Sequence, residues 1–147
     1  MEWIILFAMM WILFFTLIDW KAFKVNVWGG LFTVGMQTFV DSQLILHKLY
    51  VIHNPMIDIL GTSLFFVAGP VFVIGVLFAQ FHPVKRWAVA GHLIVITTMF
   101  SSMEYLLTKR NALEYINWHQ IDSVGVNVAA MGLLSWFCMT ILGKRMG

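Results

Sequence analysis

Charged side chains are scarce in this sequence. Only 11% of its 147 residues are Asp, Glu, Lys or Arg, while 61% are hydrophobic. A water-soluble domain usually carries about 25% charged residues, so the composition favours a membrane protein. The net charge of +2 is small, and the basic residues stand between apolar segments instead of forming a nucleic-acid-binding patch. We therefore expect a lipid bilayer around the chain and no nucleic-acid partner.

Cysteine is nearly absent as well. Cys138 is the single cysteine, which excludes a disulfide within the chain and leaves the redox compartment open. The sequence also lacks the glycine-rich loops that hold nucleotides, the Cys-x-x-Cys pair of redox and zinc sites, and the Gly-x-Ser-x-Gly turn of hydrolases. The sequence therefore carries no motif of the enzyme classes that are easiest to recognise. We predict no cofactor.

What the sequence does contain is a series of five long apolar segments. They cover about residues 3–18, 27–46, 59–81, 87–107 and 122–142. About 20 mostly apolar residues are needed for a helix to cross a bilayer, and short polar loops separate the segments. We predict an all-α membrane protein, in which a single domain forms one bundle of five transmembrane helices.

The basic residues predict the orientation of this bundle. Cytoplasmic loops of membrane proteins carry an excess of Lys and Arg. If the first segment starts outside, the inner loops hold six basic residues and the outer loops hold three, which favours N-out and C-in. The inner six are Lys21, Lys24, Lys85, Arg86, Lys144 and Arg145, and the outer three are Lys48, Lys109 and Arg110.

Polar side chains interrupt three of the apolar segments. Gln37 and Asp41 are one helical turn apart on the second segment, Glu104 lies in the outer half of the fourth, and Asn127 lies in the fifth. Because an ionisable group inside a bilayer is costly, such residues usually serve a function. Two interpretations stay open. One is a proton or cation pathway through Gln37, Asp41 and Glu104, and the other is a structural hydrogen-bond network between the second and fourth helices.

A histidine and an aspartate stand at the start of the fifth segment. His119 and Asp122 are three residues apart, which places both on one helix face if the helix begins early enough. Histidine with a carboxylate suits zinc, manganese or iron, although the second histidine of the helical metalloprotease motif is missing. The alternative is an ordinary first helical turn in which Asp122 acts as a cap.

Several polar and aromatic residues also share a layout with a known family. The layout is similar to that of small uncharacterised multi-pass membrane proteins from endospore-forming bacteria, over the whole chain in arrangement and at nine positions in identity. The resemblance implies a place in a bacterial cytoplasmic membrane, and it implies no activity. The nine positions are Asp19, Trp20, Glu104, Tyr105, Tyr115, Asn117, Trp118, Ser123 and Asn127.

The leading functional prediction is a non-enzymatic accessory or scaffold subunit that acts through helix–helix contacts. Its basis is the small residues on two of the segments, since small side chains let helices approach closely in membranes. Gly75 and Ala79 form such a face on the third segment, and Gly125, Ala129 and Gly132 form another on the fifth. This function requires a protein partner or a homo-oligomer.

Two other functions remain open. The first is a small transporter or channel in which Asp41 and Glu104 handle protons or cations. The second is an intramembrane metal-dependent enzyme that uses His119, Asp122 and Glu104. The sequence contains no residue pattern that assigns a catalytic role.

Overall fold

Five helices make up most of the structure. They are joined by loops that carry four short strands, and the predicted all-α class is confirmed at this level. The helices are α1 (Glu2–Leu17), α2 (Phe23–Leu46), α3 (Leu64–Gln80), α4 (Arg86–Lys109) and α5 (Gln120–Thr140). The computed structural model describes residues 2–52, 58–59, 62–83, 85–110, 113–116 and 118–142.

Two of the described helices are long and apolar enough to cross a membrane. They are α4, counted from Trp87, and α5. Helices α1 and α3 are apolar but shorter. Length and composition alone therefore support association with a membrane through α4 and α5.

The four strands pair at one end of the helices. They are β1 (Tyr50–Ile52), β2 (Asp58–Ile59), β3 (Thr62–Ser63) and β4 (Leu113–Tyr115). Strand β1 runs antiparallel to β4, and β2 runs antiparallel to β3. The β1–β4 pair ties the loop after α2 to the loop after α4, and we call this side of the molecule the strand end.

The third helix begins later than the sequence predicts. The predicted segment starts at residue 59, whereas α3 starts at Leu64, because Ile59 pairs with Thr62 in the β2–β3 ladder. β-Branched side chains such as these favour strands, and only two residues separate the two strands, which is the spacing of a tight hairpin. Apolar character alone did not reveal this local pairing.

Pro70 changes the geometry of α3. Residues Val67–Val71 form a π-helical turn between two regular helical parts. Proline has no N–H to donate to the helical ladder, and π-turns are one way in which helices absorb such a break. Trp11 of α1 donates its indole N–H to the Ala68 carbonyl oxygen at 3.2 Å, so α1 satisfies a backbone acceptor inside the irregular turn.

Helices α2 and α3 meet at glycines. A Cβ atom added to Gly75 would lie 2.5 Å from Thr33 Oγ1 and 2.8 Å from both Gly29 O and Gly30 Cα. A Cβ on Gly29 would lie 2.8 Å from the Cβ of Ala79. The small face of Gly75 and Ala79 therefore packs inside the chain, against α2.

The remaining contacts complete the bundle. Helix α1 packs on α3, α4 packs on α5, and α5 reaches α2 through Phe32 and Phe137, whose rings stack 4.3 Å apart. Opposite the strand end, Gln80 Nε2 donates to the Leu17 carbonyl oxygen at 2.8 Å, which joins the ends of α3 and α1. The loop after α3 contains His82, so we call this side the His82 end.

Candidate functional site

A small cavity with both apolar and polar side chains in its wall lies at the strand end. Its volume is about 30 Å³, which is room for about two water molecules. All five helices contribute to its wall, and β1 and β4 contribute Ile52 and Leu113. The polar side chains that line it are Gln37, Asp41, Glu104, Tyr115, Trp118, Ser123 and Asn127.

Helix α2 supplies a paired acid. Asp41 is only 2% exposed, and Gln37 Nε2 donates to its Oδ1 atom at 2.8 Å. The four-residue spacing places both side chains on the same face of α2. The hydrogen bond offsets part of the free energy needed to remove the carboxyl group from water.

Helix α4 supplies the second acid. The partly buried Glu104 accepts a hydrogen bond at its Oε2 atom from the Tyr115 hydroxyl, at 3.4 Å. The side chains of Asn127, Ser123 and Asp41 line the same cavity as Glu104. Two acids from different helices thus face one cavity.

The structure brings together the four residues that the sequence singles out as a polar cluster. Gln37, Asp41, Glu104 and Asn127 all line the cavity. Asn127 also extends away from it, because its Nδ2 atom donates to Ser101 Oγ at 3.1 Å. This hydrogen bond joins α5 to α4, three residues before Glu104.

Three further side chains of the site were not predicted. Trp118 Nε1 donates to Ser123 Oγ at 2.6 Å, and Ser123 Oγ in turn donates to the Tyr115 hydroxyl at 3.2 Å. Burial raises the pKa of the Tyr115 hydroxyl above its ordinary value, so the group stays protonated and can donate to Glu104. In the sequence, Tyr115 and Trp118 look like ordinary interface aromatics, and only the β1–β4 pairing shows that they close the cavity.

His119 and Asp122 have a different role. His119 is the N-cap of α5, its backbone N–H donates to Asp122 Oδ2 at 3.0 Å, and its Nδ1 lies 3.5 Å from the same oxygen. Their side chains are 84% and 46% exposed, and neither lines the cavity. These contacts match the alternative interpretation, in which the two residues form an ordinary first helical turn and Asp122 acts as a cap. Within the described part of the chain, no three His, Cys, Asp or Glu side chains form a group that could hold a metal ion.

A second polar cluster lies at the His82 end. His82 Nε2 and Ser135 Oγ are 2.7 Å apart in a buried hydrogen bond, and His92 Nε2 lies 3.2 Å from the Phe78 carbonyl oxygen. The two imidazole rings are 5.8 Å apart. Both histidines are therefore held by hydrogen bonds within the bundle.

An open groove runs beside the cavity, between α4 and α5. Its volume is about 520 Å³, so it is far larger than the cavity. Gln120 Oε1, in the groove wall, lies 3.4 Å from the Tyr115 hydroxyl and is an alternative acceptor to Glu104 for its single proton. The groove is lined by Thr97, Thr98, Ser101, Ser102, Tyr105, Leu106, Gln120 and Val124.

No protein-family model matches the chain, and no curated protein or solved structure matches it significantly. The chemistry of the cavity is nevertheless limited by its donors and its size. Carboxyl, amide and hydroxyl oxygens suit protons, water and hard cations. A volume for about two water molecules is too small for an organic substrate.

Proposed function

We propose that the protein is an integral membrane protein with five transmembrane helices. The best support comes from α4, because only 11% of its most apolar 18-residue window is buried. Trp87, Ile94 and Leu106 are 75%, 67% and 62% exposed. A core helix of a water-soluble protein would bury such side chains, whereas lipid tails solvate them.

The shorter helices fit the same arrangement. Helix α1 has 16 residues and is about 24 Å long at about 1.5 Å per residue, somewhat less than a bilayer core of about 30 Å. Local thinning of the bilayer accommodates a mismatch of this size. The exposed Met9, Ile12 and Phe15 of α1 are also apolar, as a lipid-facing helix requires.

We propose the N-out and C-in orientation in a bacterial cytoplasmic membrane. The helices alternate in direction, so the strand end carries the loops with Lys48, Lys109 and Arg110. Lys21, Lys24, Lys85 and Arg86 lie on the opposite side, which the positive-inside rule assigns to the cytoplasm. Lys144 and Arg145 lie outside the described residues. The strand end and its cavity then face outward.

Within this bundle, we propose a small transporter that handles protons or small cations at Asp41 and Glu104. One observation carries this function, namely that these two acids, from separate helices, line the same water-sized cavity. Two carboxyl groups in so confined a space repel one another when both are ionised. A bound proton or cation relieves that repulsion, and this relief favours its binding at the site.

Reconstituted liposomes test this function directly. An imposed pH gradient, read by a dye inside the vesicles, measures proton flux, and matched Na⁺ and K⁺ gradients measure cation flux. We expect flux with the unchanged protein and at least a tenfold loss in Glu104→Gln, since the amide keeps the shape of the side chain but cannot take up or release a proton.

Glu114→Gln is the matched control for this experiment. Glu114 is exposed on β4 and does not line the cavity, so its substitution should leave the flux unchanged. Equal flux in Glu104→Gln and the unchanged protein would exclude transport through the cavity. Flux with Na⁺ or K⁺ but not with protons would assign the site to that cation.

The accessory or scaffold function is the second candidate, and the open face of α5 favours it. A Cβ atom added to Gly125 or Gly132 would meet no atom within 4 Å, and Ala129 is exposed. The small face of α3 is already occupied by α2. Of these two small faces, the α5 face is therefore the one left open to a helix of a protein partner or of a second copy.

Gly132→Leu tests that candidate. Purification from native membranes in mild detergent, followed by mass spectrometry and sizing, should show a stoichiometric partner or an oligomer that Gly132→Leu releases. Gly35→Leu is the control, because Gly35 on α2 also has open space around it. A partner retained by Gly132→Leu would rule out docking at this face.

A further inference from the structure

The two ends of the molecule differ in charge. In their described loops and the helix ends next to them, the His82 end has four basic residues and one acidic residue, whereas the strand end has three basic and four acidic residues. The His82 end therefore carries an excess of positive charge, which attracts anions. Its residues are Lys21, Lys24, Lys85, Arg86 and Asp19, and those of the strand end are Glu2, Lys48, Asp58, Lys109, Arg110, Glu114 and Asp122.

The three lysines of the His82 end are exposed and unpaired. Within the described part of the chain, no hydrogen bond or ion pair reaches the ammonium group of Lys21, Lys24 or Lys85. The Oδ1 atom of Asp19 accepts a hydrogen bond from the backbone N–H of Lys21 at 3.0 Å. The first turns of α2 and α4 contain no acidic side chain. The three positive charges are therefore available to an anion from outside the chain.

The loop that carries Lys21 is fixed to the end of α3. Gln80 donates through Nε2 to the Leu17 carbonyl oxygen and accepts through Oε1 from the Asp19 backbone N–H, each at 2.8 Å. The Trp20 ring also packs on Phe23, with the ring centres 5.5 Å apart. Because Lys85 lies in the loop that follows α3 and is the N-cap of α4, both lysine-bearing loops start from the same end of α3.

Exposed aromatic side chains flank these lysines. Trp20 directly precedes Lys21 and is 59% exposed, and Trp87 lies two residues after Lys85 and is 75% exposed. Tryptophan prefers the headgroup level of a bilayer, and the flexible lysine side chain extends from there toward water. In the proposed bilayer, the lysine ammonium groups therefore lie at the level of the lipid phosphates.

We infer that the His82 end binds the headgroups of anionic phospholipids, whose phosphate groups pair with Lys21, Lys24 and Lys85. Basic groups beside membrane-spanning helices are attracted to anionic lipid surfaces, and the flanking tryptophans favour lipid over an acidic protein as the source of the negative charge. This inference requires the proposed insertion into a membrane and does not depend on transport.

Spin-labelled lipids measure this preference in vesicles of phosphatidylcholine that contain the protein. Electron paramagnetic resonance separates lipid held against the protein from free lipid, so the ratio for labelled phosphatidylglycerol and phosphatidylcholine gives the relative affinity. The test variant combines Lys21→Gln, Lys24→Gln and Lys85→Gln. The matched control combines Lys48→Gln, Lys109→Gln and Arg110→Gln, which removes the same charge from the strand end.

We expect at least a threefold preference for phosphatidylglycerol in the unchanged protein and in the control, and equal affinity for the two lipids in the test variant. Salt at about 1 M, where the Debye length is about 3 Å, should also remove the preference. Circular dichroism shows whether each variant is folded.

Three results would overturn the inference. They are no preference in the unchanged protein, a preference that the folded test variant retains, and an equal loss in the test variant and the control. If the unchanged protein showed no preference but co-purified with an acidic protein that the test variant releases, the surface would bind a protein instead. If neither lipid were held against the unchanged protein, the proposed membrane insertion itself would fail.

Discussion

Both ends of the molecule bury polar side chains, but they do so differently. At the strand end, Asp41 and Glu104 face a cavity with room for about two water molecules. At the His82 end, His82 forms a direct hydrogen bond with Ser135, and His92 forms one with a backbone carbonyl oxygen. Neither the cavity nor the groove described above is lined by these histidines.

The difference shows which buried polar groups point to a function. The histidine–serine pair at the His82 end can be neutral and is joined by a direct, buried hydrogen bond. The strand end combines acidic groups with free volume. Both ends thus contain buried polar groups, whereas the acidic side chains that face a cavity lie at the strand end.

The largest effect on stability should come from Gly75→Leu, because this substitution disrupts the contact between α2 and α3 that supports both ends of the bundle. Even a Cβ atom at this position lies 2.5 Å from Thr33 Oγ1 and 2.8 Å from backbone atoms of α2. Overpacking usually costs about 1–3 kcal/mol, and we expect a loss at or above the top of that range. Denaturant unfolding in mixed micelles, followed by circular dichroism, measures it. Gly35→Leu, where space is open, should unfold like the unchanged protein.

Ser135→Ala should sharpen the contrast between the ends. The substitution removes the hydroxyl group 2.7 Å from His82 Nε2 in a buried site. Leaving a buried polar group without its partner costs about 1–3 kcal/mol, which the same unfolding measurement should detect. Proton flux should not change. A loss of flux with full stability would mean that the His82 end also takes part in transport.

Trp118→Phe should have a smaller effect at the strand end. It removes the indole N–H that donates to Ser123 Oγ at 2.6 Å, and one neutral hydrogen bond contributes about 0.5–1.5 kcal/mol. Trp136→Phe, at an exposed position on α5, is the control and should change stability by less than about 0.5 kcal/mol. If both substitutions had the same effect, the Trp118 hydrogen bond would contribute nothing to the wall of the cavity.

The smallest effect concerns alkaline pH. The pKa of Tyr115 is raised above the ordinary 10.0 by burial, with Glu104 adding to the rise. A raised pKa in the folded state means that its contribution to stability is present below about pH 10 and is lost as the pH rises through the folded-state value. The free energy of unfolding should therefore fall less steeply above about pH 10 in Tyr115→Phe. Trp118→Phe keeps Tyr115 and should keep the steeper fall.

Local spacing was enough to predict part of the site. Gln37 and Asp41 are four residues apart, which fixes their common helix face before any tertiary contact is known. Glu104 and Asn127 stand out because polar groups are rare in apolar segments. Their meeting in one cavity depends on how five helices pack, and no spacing within one segment contains that information.

Other features depended on contacts between distant parts of the chain. The β1–β4 pair joins two segments of three residues each, which are too short to show a strand pattern in the sequence. Tyr115 therefore could not be placed at the cavity in advance. In the same way, the small faces of α3 and α5 look alike in the sequence, and only the packing against α2 shows that the α3 face is occupied.

The most direct test of the difference between the ends is proton flux through liposomes that contain either Asp41→Asn or Ser135→Ala. The first substitution keeps the shape of the buried side chain that Gln37 contacts but removes its ability to exchange a proton, and the second changes only the His82 end. We predict at least a tenfold loss of flux in Asp41→Asn and none in Ser135→Ala. Undiminished flux in Asp41→Asn, with the protein folded, would contradict the assignment of transport to the acidic cavity.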